Sequence, residues 1–403
     1  MKKRVAITSF GVVSSLGDTG DEIMEHFQRG IVSFARPHFD DEVVTSPLRH
    51  FSLKNYIGRF KNARYLTRGA QLSVASAMEA VKKAKLDKGA MDGCGLFVGA
   101  GPNIDISSEF PDFKRGKMDA EDLSALWMLR FLPNTAASAI AQITGLHGEN
   151  STIMTACAAS LQAIGEAYRK IKDGYLDLAL AGGGDSRINP GGILAYKKAK
   201  ALYGGPGAPE DASRPFNHDR SGFVPGEGGA FFLLEDSEHA KKRGADIYGE
   251  ICGFGNSLDG ETMTAPEADG AWAEQAIRSA LHEAEASPGD IDLVCAHGTG
   301  THLNDAMECA LMSRVYGAHK PFVLALKSWI GHLAAACGAV EMALLIICMQ
   351  CGYLPEIRNL KAPCADDLNF VLKPKTFTPR VAVIQNFGFG GQNGALVIKP
   401  WEE

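Results

Sequence analysis

The sequence repeats itself once, and that repetition limits what the chain can fold into. Residues 5–11 (VAITSFG) are echoed by 249–255 (GEICGFG), 95–101 (GLFVGAG) by 293–300 (LVCAHGTG), and 178–186 (LALAGGGDS) by 381–391 (VAVIQNFGFGG). In third place each half carries a strand, a glycine-marked turn and a small-residue helix, at 152–170 and 322–349. The echoes run in the same order in both halves, with extra sequence between the first and second echo of the first half. Continuous apolar strands alternating with helical patterns indicate mostly parallel sheets covered on both faces. The period is far too long for a solenoid. The expected fold is therefore α/β, in two duplicated halves, residues 1–244 and 245–403, divided near Gly244. The Gly- and Pro-rich stretch 203–229 reads as an ordered excursion, because Arg214-Pro215-Phe216 and Phe223-Val224-Pro225 can anchor it.

Composition excludes several functions. At 45% hydrophobic and 22% charged over 403 residues, the chain has ample core for a soluble protein. A net charge of −6 gives no bulk attraction to nucleic acid. The basic start, Lys2-Lys3-Arg4, is followed by a run broken by Thr8, Ser9, Ser14 and Ser15, which suits a strand better than a signal peptide. No run reads as a membrane span. Nine scattered cysteines, an odd number with apolar neighbours, imply reduced thiols in a cytoplasm. Cys348-x-x-Cys351 lacks the second pair that zinc would need.

Chemistry in such sheets gathers beyond the carboxyl ends of strands, and four ends carry unusual residues. Cys157 sits between a short apolar run and a helix start, where unpaired N–H groups and the helix dipole favour a thiolate. His297 follows the strand at 291–296. Lys327 follows another, with His332 opening a small-residue helix. Residues 385–393 (QNFGFGGQN) form a glycine-rich turn. Each alone has a structural reading: a packed thiol, a satisfied histidine, an exposed lysine, a tight turn. Together, a cysteine and two histidines at separate strand ends are what thiol acyl chemistry requires.

These residues resemble those of the elongating β-ketoacyl-acyl-carrier-protein synthases. The matching segments are TACAAS (155–160), SRPF with RSGFVPGEG (213–228), HGTGT with ND (297–305), KS with GH (327–332) and NFGFGG (386–391), and the likeness covers the whole chain. It implies the thiolase fold, two duplicated halves in five αβαβα layers. The implied reaction is decarboxylative Claisen condensation of an acyl group on Cys157 with malonyl-acyl-carrier protein. No cofactor or metal is implied, since the phosphopantetheine arm arrives on the carrier. By match, His297 and His332 act on the malonyl thioester, and Lys327 pairs with Glu308. Backbone N–H groups of Cys157 and Phe389 form the oxyanion hole, and Phe387 is the gate between acyl and malonyl sites. Thr264, Thr299 and Thr301 hold the pantetheine arm. The resemblance also implies a cytoplasmic homodimer, or a heterodimer with a ketosynthase-like partner. The acidic carrier is expected on two basic clusters, one with Lys61, Arg64 and Arg68 and one with Lys197, Lys198 and Lys200.

The sequence departs from the family pattern at His302, usually proline, at Thr262, often histidine, and at Ala158 and Ala159, often Ser or Thr. These touch the pantetheine approach and the acyl pocket and leave the catalytic groups in place. Two other readings share the fold: a non-condensing chain-length-factor-like partner, which typically lacks the nucleophile, and a thiolase, which usually uses one histidine and a second cysteine. Cys157, His297, His332 and Lys327 are all present, against the first reading, and the His297/His332 pair favours decarboxylative condensation over the second.

Overall fold

Nine consecutive buried residues, Val5–Val13, make the first strand, β1. A strand with both faces covered shows no regular polar alternation, and this run is apolar apart from Thr8 and Ser9, both buried. The same holds for β4 (Leu178–Ser186) and β5 (Glu227–Asp236), buried along their whole length. With β2 (Gly95–Gly99) and β3 (Asn150–Ile153) they form the first half-sheet. The second half supplies β6 (Gly249–Leu258), β7 (Leu293–Cys295), β8 (Phe322–Leu324), β12 (Ala382–Gly388) and β13 (Gln392–Lys399). Short β10 (Asn369–Phe370) adds to its edge, and β9 (Tyr353–Leu354) pairs with β11 (Lys375–Thr376) as a separate ribbon. This computed structural model describes residues 3–86, 89–106 and 125–402.

Outward from the centre the strand order is β1-β5-β4-β2-β3 on one side and β6-β13-β12-β7-β8 on the other. The orders are equivalent position for position, so the echoes are a structural duplication. A three-residue antiparallel seam, Val5 to Ile7 against Ile251 to Gly249, joins the halves. The expectation of mostly parallel sheets is corrected. Pairs β2/β3, β2/β4, β7/β8 and β7/β12 are parallel, but β5 and β13 run antiparallel to both neighbours. The chain reaches β5 through the 203–229 excursion and β13 through a tight turn at Gly390 and Gly391, so neither return needs a crossover helix.

The main helices are α1 (Gly20–Arg29), α2 (Arg68–Lys83), α3 (Thr135–Thr144), α4 (Ala159–Lys172), α5 (Pro190–Lys198), α6 (Ala271–Glu283), α7 (His302–Tyr316) and α8 (Cys337–Cys351). Helix α2 covers the outer face of β1, β5 and β4, and α6 covers β6 and β13. Helices α4 and α8 pack on each other and on strands of both halves, which makes the central layer of five. Small residues let this layer close. A Cβ on Gly99 would lie 2.4 Å from the Ser160 backbone, and one on Gly165 would lie 2.3 Å from the Phe254 ring.

Residues 334–351 do reach the length and hydropathy of a membrane span, which the sequence reading did not register. That window is 89% buried inside the protein, as a core helix packed between the two half-sheets must be. The 203–229 excursion is ordered as expected. Phe216 is fully buried with its N–H on Asp305 Oδ2 at 2.7 Å, and Val224 accepts the His332 N–H at 2.7 Å.

Candidate active site

The Cys157 elbow is built by backbone strain. After β3, Ala156 takes φ 48°, a left-handed conformation costly for a residue with a Cβ, and the turn Ala156–Ala158 delivers Cys157 to the start of α4. The duplication repeats the device: Ala334 also has φ 48°, and the turn Ala334–Ala336 precedes α8. In the second elbow Ala335 stands where the first has Cys157. The fold thus makes two elbows and arms one with a thiol. The end of β12 presses against it, and a Cβ on Gly388 would lie 2.9 Å from the Cys157 nitrogen. That approach lets the Phe389 N–H pull the Cys157 thiol toward its thiolate.

His297 and His332 are both buried beside Cys157, their rings 5.6 Å apart and near perpendicular. A ring nitrogen of each and the Cys157 sulfur lie within 4.8 Å of one another. Their protonation follows from their partners. His332 Nδ1 lies 3.0 Å from the Ala334 N–H, which can only donate. His297 Nδ1 lies 3.2 Å from Lys327 Nζ and 3.3 Å from Asn386 Nδ2, both donors. Both Nδ1 atoms therefore accept, and both imidazoles carry their proton on Nε2. Burial, then the Lys327 charge, lowers His332 to about 3 and holds His297 well below its ordinary value. Both rings are neutral donors at physiological pH.

The expected Lys327–Glu308 pair is not formed. Lys327 Nζ lies 2.5 Å from Glu341 Oε1, both groups fully buried. Burial alone would lower the lysine, but Glu341 overrides it and holds the ammonium above its ordinary value. Glu341 is the one charged residue in α8, and a lone carboxylate in an apolar helix was the signal that could have found it. Asn386 donates to its other oxygen at 2.8 Å. Glu308 instead accepts the N–H groups of His297 at 2.6 Å and Gly298 at 2.8 Å, and Gln385 Nε2 at 2.7 Å. It therefore holds the loop that carries His297. Asp305, on the same helix, does this for Thr299 and Gly300 at 3.1 and 3.2 Å.

The thiolate expectation is also corrected. Burial pushes the Cys157 thiol up to about 11, although Lys327 and the Phe389 N–H pull it back. In the free protein burial outweighs the helix terminus, and Cys157 is a thiol. Alkylation of Cys157 by iodoacetamide, read by peptide mass, should therefore speed up with pH to about 10. A plateau near neutrality would mean the thiolate already dominates there.

Cys157 stands between two cavities. The outer, about 400 Å³, is bordered by Thr264, Thr299, Thr301, Lys200 and Phe387. Thr299 and Thr301 are hydroxyl to hydroxyl at 2.9 Å. The inner, about 170 Å³, is bordered by Ile104, Ala156, Asp185, Arg187 and Tyr196. Phe389 borders both and is 41% exposed, whereas Phe387 borders only the outer one and is 6% exposed. Phe389, and not the expected Phe387, borders both cavities, because the strand pairing ends at Gly388 and frees the residue after it.

The basic clusters divide. Lys61 and Arg64 are exposed on a short turn, but Arg68 makes two 2.9 Å bonds to the buried Glu227. Glu227 also accepts from Leu48 N and Ser186 Oγ, so Arg68 is a structural residue. Lys197 is held by Asp40 at 2.6 Å and Glu42 at 3.1 Å. Lys198 is exposed, and Lys200 lies on the outer cavity wall.

A duplicated five-layer fold with a strained cysteine elbow and two neutral imidazole donors defines a thiolase-fold condensing enzyme. The sequence matches the family described as Beta-ketoacyl synthase, N-terminal domain, over residues 2–240, and Beta-ketoacyl synthase, C-terminal domain, over 248–361. The chain belongs to the β-ketoacyl synthase family. It is 32% identical to 3-oxoacyl-[acyl-carrier-protein] synthase 2 of Vibrio cholerae serotype O1, over 99% of each chain. Among solved structures it resembles the ishigamide ketosynthase/chain length factor, with TM-score 0.90, 29% identity and 100% of each chain covered. It also resembles a type II polyketide ketosynthase, bound to the hexaketide and in complex with its acyl-carrier protein. There the TM-score is 0.88, with 27% identity and 100% of each chain covered.

Proposed function

We propose that this protein catalyses decarboxylative Claisen condensation of an acyl group with malonyl-acyl-carrier protein, in fatty acid or polyketide synthesis. The observation that carries the reading is the pair of Nε2–H donors locked by fixed Nδ1 partners beside Cys157. Cys157 attacks the acyl thioester, the carrier thiol leaves with the cysteine's proton, and the oxyanion faces the N–H groups of Cys157 and Phe389. Malonyl then loses CO₂, and the electron pair of the broken bond moves onto the thioester oxygen. His297 and His332 donate to that enolate oxygen, each donor contributing ~3–4 kcal/mol as in other oxyanion holes. The enolate carbon attacks the acyl-Cys157 carbonyl, and the cysteine sulfur leaves and regains a proton. Burial, reinforced by the Lys327 charge, keeps both imidazoles neutral, so they donate hydrogen bonds without surrendering a proton.

The reaction needs no metal or cofactor of the protein's own. The Cys157–His297–His332 cluster could ligate an ion by spacing, but the Lys327 ammonium beside His297 opposes a second cation there. The pantetheine arm enters the outer cavity past Thr264, Thr299 and Thr301. The carrier docks on Lys61, Arg64, Lys198 and Lys200, exposed cations that make no ion pair among the described residues. The similar polyketide ketosynthase complexed with its carrier supports such a partner. A dimer, of two copies or with a ketosynthase-like second chain, fits β3. That strand ends the large sheet with Asn150 and Ser151 exposed, and light scattering tests the assembly. The nine cysteines, free of disulfides, suit the cytoplasm.

The test is release of CO₂ and formation of β-ketoacyl-carrier from acyl- and malonyl-carrier proteins. His297→Ala and His332→Ala should each slow CO₂ release by about 10²–10³ while acyl loading changes far less. Normal decarboxylation in both variants removes them from this role. In the same assay Arg64→Glu with Lys198→Glu should raise KM for the acyl carrier and leave a small acyl-pantetheine substrate unaffected; equal effects on both rule the docking face out.

A further inference from the structure

The inner cavity is bordered on one side by a buried ion pair that condensation does not require. Arg187 follows β4, with its side chain 8% exposed. Its Nη2 lies 3.0 Å from Asp185 Oδ2, and its Nη1 donates to the Pro102 carbonyl. Asp185 is fixed in turn. Its Oδ1 accepts the Ser186 N–H at 2.8 Å, and its Oδ2 accepts the Ala335 N–H, in the second elbow, at 3.1 Å. The duplication therefore gives the Asp185 carboxylate a backbone donor at the elbow that has no thiol. Gly101 makes room for the guanidinium, since a Cβ there would lie 1.9 Å from Arg187 Nη2.

Behind this pair lies another cavity, about 150 Å³, lined among the described residues by Tyr65, Ser73, Leu129 and Ala136. It shares four wall residues with the inner cavity: Gly101, Pro102, Asp185 and Arg187. The pair is thus a wall between two spaces of similar size, and removing the guanidinium would join them and nearly double the room behind Cys157. Held by the Pro102 carbonyl and by Asp185, the wall is tethered on two sides, and Asp185 is itself anchored on two backbone N–H groups.

We propose that the Arg187–Asp185 pair is a fixed partition that ends the acyl cavity. It limits Cys157 to acyl groups of about six carbons, as a ring or a short chain, and excludes long saturated chains. The size follows from the volume, since an apolar cavity of about 150 Å³ takes one benzene molecule. This names the substrate class of the condensing site and rests on the function proposed above.

The experiment is intact mass spectrometry of the protein after timed incubation with butyryl-, hexanoyl- and dodecanoyl-carrier protein. The wild type should acylate Cys157 with the two short groups at least tenfold faster than with dodecanoyl. Arg187→Ala, shown to be folded by its circular dichroism, should shrink that ratio to within threefold, and Arg187→Met, which keeps the bulk, should retain it. Equal loading of all three by the wild type overturns the partition even if neither variant folds. So does an unchanged ratio in folded Arg187→Ala. No loading of any group would instead overturn the acyl-enzyme reading on which the partition depends.

Discussion

Cys157→Ala should lose condensation by about 10⁶-fold in kcat, the scale on which removing a covalent nucleophile acts. The methyl group of alanine fills the elbow without strain beyond what Ala156 already carries, so the fold should survive and the loss is chemical. Acylation from carrier protein, read as an intact-mass shift, should vanish entirely, since Cys337, the cysteine whose sulfur lies 3.7 Å from His332 Nδ1, is fully buried. Release of CO₂ from malonyl-carrier should persist, because the imidazole donors hold their protons through Lys327, Asn386 and Ala334, not through the thiol. Condensation surviving in Cys157→Ala would remove the nucleophile assignment. Loss of CO₂ release along with it would mean that the thiol and the histidines act as one unit.

Glu341→Leu should destabilise the protein by about 3–5 kcal/mol, because it strands the Lys327 ammonium in a fully buried site. Denaturant unfolding with linear extrapolation measures this directly. A buried pair exchanged as a whole for apolar groups of similar volume is often neutral. The double variant Lys327→Met with Glu341→Leu should therefore recover most of the stability. It should not recover CO₂ release, since without the ammonium the Nδ1 of His297 loses its strongest donor and the Nε2–H tautomer is no longer enforced. A loss below about 1 kcal/mol in Glu341→Leu, or full activity in the double variant, would show that the pair neither anchors the core nor sets the tautomer.

The sequence by itself determined the duplication, because strands buried on both faces write mostly apolar runs with glycines near them, and these recur in the same order in both halves. It also determined which strand ends carry Cys157, His297 and Lys327, since each stands within a few residues of its strand, and the run on to His332 just before the second elbow. What it left open depends on contacts between distant segments. Lys327 had two buried carboxylates to choose from, and Glu341 won because α8, in the central layer, brings it against the ammonium, while Glu308 on α7 is occupied by the His297 and Gly298 N–H groups. Arg68 reads as one more surface cation until Glu227, 159 residues away, is brought against it in β5. Phe387 and Phe389 are alike in sequence, and only the end of the β12 pairing decides which one borders both cavities. The thiol state of Cys157 was misjudged for the same reason. A helix terminus is a local feature that sequence displays, whereas desolvation is a property of everything packed around the group, and here it is the larger effect.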